Sequence, residues 1–267
     1  MTDVTQDERL AFLIERLISE LSEHEEVRIP KSPDERKLLL RSLFNVRPPM
    51  PVGDEFLRVQ DEYMRAELEV RGVVGLEDLD PVEENLYLWK GDITTLKVDA
   101  IVNAANSQML GCFVPCHKCI DNAIHTYAGV QLRLACAELM DGITEGEPTG
   151  RAKITPAFNL PSKYVIHTVG PIVRGNLTQK DCDLLASCYK SCLKLAKQNG
   201  LHSIAFCCIS TGEFGFPNDK AAAIALSTVK EYLKKTESEI KVIFDVFKES
   251  DYAIYRRLFG SDRDVKK

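Results

Sequence analysis

The sequence predicts an α/β fold. A central, mainly parallel (mixed) sheet is covered by helices on both faces, a three-layer α/β/α arrangement, and an α-helical N-terminal extension precedes it. Three observations carry this. From Leu86 onward, short β-rich runs alternate with helical runs. The strand-like runs Tyr164–Val169 and Ser203–Ile209 are almost continuously apolar, as strands are when both faces are buried. Before Leu86 the apolar side chains recur at helical spacing.

Leu10, Leu13, Ile14, Leu17, Ile18 and Leu21 share one face and predict a helix over 6–23. Ile29-Pro30-Lys31-Ser32-Pro33 breaks it. Ser32 is placed to cap a second helix near 33–44, with Pro33 in its first turn. Arg47-Pro48-Pro49-Met50-Pro51 is a stiff connector. A third helix is expected from Asp54 to Val70, ended by Gly72 and Gly75. Residues 1–80 therefore form the extension and 81–267 the main domain. Nothing in the extension carries a catalytic pattern, so packing against the main domain or capping it is its expected role. In the main domain the expected strands are Leu86–Trp89, Ala100–Val102, Tyr164–Val169, Ser203–Ile209 and Lys241–Phe247. The expected helices are Asp121–Met140, Asp181–Asn199, Pro217–Lys234 and Ser250–Leu258.

Composition narrows the function classes. In 267 residues, 45% are hydrophobic, which is ample for a core. There is no run of eighteen apolar residues and no basic, apolar leader, so neither a membrane span nor a signal peptide is expected. Nine cysteines, an odd number and mostly within apolar runs, point to a reducing cytoplasm rather than a disulfide framework. Net charge is −6. Residues 1–85 hold 21 acidic and 11 basic side chains (−10), leaving 19 and 23 (+4) for the rest. No dense Lys/Arg patch with aromatics accompanies either part, so nucleic acid is not an expected partner.

Chemistry concentrates in Gly111–His125, GCFVPCHKCIDNAIH. Cys112, His117 and Cys119 are soft and borderline donors that suit zinc, with Cys116 a candidate fourth. No second ligand pair follows at finger spacing, and a three-ligand set leaves a coordination position open, as catalytic sites do. The alternative is a set of cysteines packed as small hydrophobes. Asp121 and Asn122 fall at the start of a helix, and His125 one turn later on the face of Asp121. Other suspicious segments lie after strands, where ligands bind in parallel sheets. Gly91-Asp92-Ile93-Thr94 offers Asp92 as an acceptor or a turn cap. Asn103-Ala104-Ala105-Asn106 puts two amides around small residues. Ile209–Pro217 exposes glycine-rich backbone ahead of a helix, which suits a phosphate, though it matches neither common phosphate-loop pattern. Phe247-Lys248 ends the last strand with an aromatic that covers a base or closes the core.

Taken together, GDIT, VDAIVNAAN, IDNAIH, YVIHTVGP and ISTGEFGFP resemble the macrodomain, an ADP-ribose-binding α/β/α fold, over about residues 86–260. Where ordinary macrodomains carry a glycine-rich run, this chain has GCFVPCHKC, the signature of the zinc-dependent subfamily with its helical extension. That resemblance implies a protein-ADP-ribose hydrolase (a glycosidase-type hydrolase) acting on mono-ADP-ribosylated protein. It further implies a lipoyl-carrier-like substrate modified by a sirtuin-type transferase. It implies that Asp92 and Ile93 read the adenine, that Asn103 and Asn106 face the distal ribose, and that Ser210, Thr211, Gly212, Glu213 and Phe214 wrap the diphosphate. One Zn2+ per chain would sit on Cys112, His117 and Cys119, with Cys116 at a variable position outside the set. Asn106 and Asp121 would be the catalytic pair. The rival readings are a non-catalytic ADP-ribose reader with a structural zinc, and a zinc hydrolase or deaminase of free nucleotides. The deaminase motif is incomplete: Pro115-Cys116 and Cys119 give PCxxC, but no HxE precedes them.

Overall fold

The computed structural model describes residues 4–21 and 27–264. Three helices, α1 (Gln6–Ile18), α2 (Pro33–Val46) and α3 (Asp54–Arg71), form the extension. Thr5 caps α1 in a reciprocal box with Glu8, and Pro33 opens α2. The helix predicted over 6–23 stops at Ile18, where the Ser19 hydroxyl bonds the Arg16 carbonyl at 2.6 Å and competes with the helical ladder. Residues 22 and 23 of that span lie outside the described residues. The three helices close a core of their own, with Leu10, Leu13, Ile14, Leu43, Phe44, Phe56 and Tyr63, and Val130 of the main domain completes it.

Among the described residues nine strands follow: β1 (Val74–Gly75), β2 (Pro81–Glu83), β3 (Leu86–Lys90), β4 (Leu96–Lys97), β5 (Ala100–Ala105), β6 (Ala152–Pro156), β7 (Tyr164–Val169), β8 (Ser203–Phe206) and β9 (Lys241–Val246). β1 pairs with β4 apart from the rest. The other seven form one mixed sheet in the order β2-β3-β9-β8-β5-β7-β6, parallel except for the two edge strands. The helices α4 (Ile120–Ala128) and α5 (Val130–Leu139) cover one face. α6 (Gln179–Gln198), α7 (Asn218–Thr236) and α8 (Glu249–Asp264) cover the other, giving the three layers expected. The inner strands are buried on both sides, and Tyr189, Phe206, Phe244 and Phe259 fill one layer of the core. Each such side chain contributes about 1.5–3 kcal/mol on burial. All nine cysteines are free thiols. No helix among the described residues is long and apolar enough to cross a membrane.

Two boundaries differ from the sequence reading in ways that matter for the site. The helix expected over Asp121–Met140 is two helices. Gly129 separates them at φ +88°, and a Cβ there would meet the Gln60 side chain at 2.6 Å. Gln60 of α3 then accepts from the Val130 amide at 3.0 Å, so the extension itself starts α5. The strand expected over Ala100–Val102 continues to Ala105. Asn103 is therefore a strand residue in register with His167, not a loop residue. Because the inner strands run parallel, the loops after β3, β5, β7, β8 and β9 all emerge on one edge of the sheet.

Candidate active site

The segment between β5 and α4 has no helix or strand of its own. It leaves the sheet at Asn106 and turns back at Gly111, where φ is +82° and a Cβ would meet the His125 ring at 2.8 Å. Only glycine lets the backbone pass that close. The turn delivers Cys112, His117 and Cys119 so that one donor atom from each lies within 4.8 Å of the others. Cys119 caps α4, its sulfur accepting from the Asn122 amide at 3.4 Å. The Nδ1 of His117 is buried without a partner, while its Nε2 lies 3.7 Å from the Glu213 carboxylate. Burial and the nearby Cys112 push the Cys119 thiol up to about 12. Two thiols and an orphaned imidazole nitrogen crowded together are a donor set that a divalent cation satisfies, and zinc fits it by softness and number. Cys116 points away: its sulfur meets the Ser42 hydroxyl at 3.2 Å and the Leu38 carbonyl at 3.5 Å.

A second trio, His125, Cys136 and His167, also brings donor atoms together, but in the core. There His167 already has partners, Asn103 Nδ2 at 3.1 Å and Thr155 Oγ1 at 3.0 Å. The Asn103 amide nitrogen can only donate, so Nδ1 of His167 accepts and Nε2 carries the proton towards Thr155. Burial holds His167 down at about 4, and holds His125 well below the ordinary range. Both are neutral core groups.

Asp121 is the second residue of α4, 5% exposed. Its two oxygens are gripped by amides: Asn103 Nδ2 donates to Oδ1 at 2.8 Å and Asn106 Nδ2 reaches Oδ2 at 3.4 Å. Burial pushes its carboxyl up to about 6, against the Asn103 hydrogen bond and the Arg133 charge. Asn106 is half-buried, donates also to the Gly111 carbonyl at 3.0 Å, and accepts from Gln108 N at 3.0 Å. Asn103, by contrast, is wholly buried. It lies behind Asp121, between that carboxylate and His167.

Asp92 closes the turn after β3, accepting from the Thr94 amide at 3.0 Å, and pairs with Arg71 at 3.2 Å. The Ile93 side chain is buried, leaving its backbone as the part that can meet a ligand. Ser210 turns at φ +66° with its hydroxyl buried, and the loop folds on itself through Phe216 N to the Ser210 carbonyl at 3.0 Å. Gly212 and Glu213 are exposed, Thr211 and Phe214 half-buried. Phe247 stands 78% exposed at the end of β9 rather than closing the core. Loops carrying the thiols, the Asn106–Asp121 pair, the glycine-rich turn and Asp92 thus share one rim. Sequence reading missed two contacts from the extension: Arg71 on Asp92, and α2 on the thiol loop.

The Macro domain family profile matches residues 102–225. A protein-ADP-ribose hydrolase of Treponema medium is 58% identical over 261 residues, which span 96% of this chain and 100% of that protein. Among solved structures, an Oceanobacillus iheyensis macrodomain with ADP is 40% identical with a TM-score of 0.62, covering 70% of this chain and 96% of that one. A Trypanosoma brucei macrodomain in complex with ADP-ribose is 31% identical with a TM-score of 0.64, covering 86% and 96%.

Proposed function

The chain belongs to the Macro domain family, and on that premise we propose that it is a zinc-dependent hydrolase that removes mono-ADP-ribose from modified protein side chains. The carrying observation is that the Cys112–His117–Cys119 donor set adjoins the Asn106–Asp121 pair and meets the glycine-rich loop through Glu213. A reader with a structural zinc needs no fixed carboxylate beside an open donor set.

The expected assignments follow the rim. Gly212, Glu213 and Phe214 present backbone to a diphosphate, with Ser210 and Thr211 shaping the turn. Asp92 and Ile93 would read the adenine, with exposed Phe247 at the end of the neighbouring strand. Such contacts supply binding energy remote from the reacting bond and fix the ribose against the catalytic pair. Cys112, His117 and Cys119 would hold the zinc, which when bound supplies Lewis-acid polarisation of a ribose or leaving-group oxygen, or lowers the pKa of a bound water. Asn106 positions the distal ribose, and Asp121, held by two amides, orients water against the anomeric carbon. In the net reaction a water oxygen bonds that carbon, the carbon's bond to the protein side chain breaks, and one water proton passes to the departing side chain. The lipoyl-carrier-like substrate and sirtuin-type transferase implied by the sequence resemblance belong to this proposal, as do Zn2+ at one per chain and a cytoplasmic location.

The test pairs metal content with activity. Protein purified without chelator is assayed for zinc per chain and for ADP-ribose release from mono-ADP-ribosylated carrier protein, before and after stripping. About one zinc per chain, with release that vanishes on stripping and returns with zinc, is expected for a three-ligand catalytic site. Tight ADP-ribose binding without release from any linkage would establish the reader instead.

A further inference from the structure

We propose that α2 of the extension is a working part of the active site, with Arg41 and Asn45 as positioning residues for the zinc loop. The proposal rests on the metal reading above. It goes beyond the packing or capping role expected of the extension.

α2 has two faces. Leu40, Leu43 and Phe44 enter the core of the extension. Arg41, Ser42 and Asn45 share another face at helical spacing, and each of them meets the thiol loop or α4, as does the Leu38 backbone carbonyl. A face that served packing alone would be apolar. This one is polar, and its partners are side-chain and backbone groups of α4 and of a loop with no ladder of its own. Arg41 donates through Nη2 to the His117 carbonyl at 3.1 Å. Its Nε and Nη2 both reach Asn122 Oδ1, at 3.2 and 2.8 Å. Asn122 in turn donates its side-chain amide to the Val114 carbonyl at 3.0 Å and its backbone amide to Cys119 Sγ. Asn45 is 1% exposed and uses both ends. It accepts from the Cys116 amide at 2.8 Å and donates to Thr126 Oγ1 on α4 at 2.9 Å. Cys116 itself sits at φ +52°, a conformation its neighbours must hold in place.

The two side chains therefore tie the ligand loop to the helix that carries Asp121. Arg133 of α5 completes the tie from below, donating to the carbonyls of Leu110 at 2.7 Å, Phe44 at 3.0 Å and Arg47. His117 is fixed through its own carbonyl and Cys119 through its bond to Asn122, so both ligand positions depend on Arg41. The extension thus does for this loop what outer hydrogen bonds do for metal ligands generally: it sets their geometry before the ion arrives.

The experiment uses the full chain carrying Arg41→Met, with Arg41→Lys as a second variant. Zinc affinity is read by competition with a chromophoric chelator, ADP-ribose affinity by calorimetry, and melting temperature alongside. Arg41 is half-buried, so the expected fold survives. Zinc affinity is expected to fall about 10- to 100-fold in Arg41→Met, the usual effect of losing an outer-shell partner. ADP-ribose binding stays within about twofold, because none of its expected contacts touches Arg41. A single ammonium lacks the guanidinium fork, so Arg41→Lys is expected to lose zinc affinity too. A wild type that binds zinc, with both variants binding it equally well, overturns this proposal alone. A wild type that takes up no zinc overturns the metal reading and this one together.

Discussion

Replacing Asn103 with leucine separates a residue that touches substrate from one that acts through Asp121. Leucine has similar volume, and the site is wholly buried, so the change removes hydrogen bonds rather than packing. The 2.8 Å bond to the Asp121 carboxylate is lost, at about 1.5–3 kcal/mol for a bond to a charged group. His167 Nδ1 loses its donor, at roughly 1–3 kcal/mol. Against this, Asn103 Oδ1 is buried without a partner, and its removal returns about 1–3 kcal/mol. The net is a loss of about 2–3 kcal/mol, or roughly 4–12 °C in melting temperature for a chain of this size. The assay is ADP-ribose affinity by calorimetry beside single-turnover release of ADP-ribose from modified protein. Affinity should hold within about threefold while the chemical step slows by about 100-fold, since a misplaced carboxylate is a positioning defect. Loss of ADP-ribose affinity with an undiminished chemical step would refute the buried, supporting role.

The remaining predictions are more compact. His167 is held down at about 4 by burial, against 6.5 in the unfolded chain, so its neutral form stabilises the fold above pH 6.5 and that contribution disappears as pH falls towards 4. The total is about 3 kcal/mol; His125 at 6.2 Å and Cys136 at 3.7 Å face the ring, and His125 adds to the same acid slope. Urea unfolding between pH 7.5 and 4.5 should therefore show a His167→Gln slope shallower by up to one proton, and identical slopes would contradict the assignment. Gly111→Ala adds about 1–2 kcal/mol of left-handed strain and pushes a Cβ against the buried His125 ring, so it should lower both melting temperature and zinc affinity. Glu213→Gln weakens the 3.7 Å contact to His117, but Glu213 is 75% exposed, so zinc affinity should fall less than about fivefold, far below the Arg41→Met effect.

The helices of the extension and the inner strands were readable because burial imposes a period on one chain segment at a time: Leu10, Leu13, Ile14 and Leu17 declare α1, and Tyr164–Val169 declares β7. Strands β2 and β6 were missed for the complementary reason. They lie at the sheet's edges, only partly buried, and carry Pro81 and Glu83, or Lys153 and Pro156, with no strong period to show. The clustering of Cys112, His117 and Cys119 was legible because the three donors are close in the chain itself. Asn103 was misplaced because a polar residue after Val102 looks like a strand's end, and only pairing with β7 shows that the strand continues through it. The tertiary structure alone decided that Cys116 turns to α2, that Asn103 stands behind Asp121, and that Arg41 and Asn45 hold the ligand loop. Arg41 and Asn122 lie 81 positions apart. A sequence records which groups need partners. Which distant group meets that need depends on how separate helices and strands pack, and no local period encodes that.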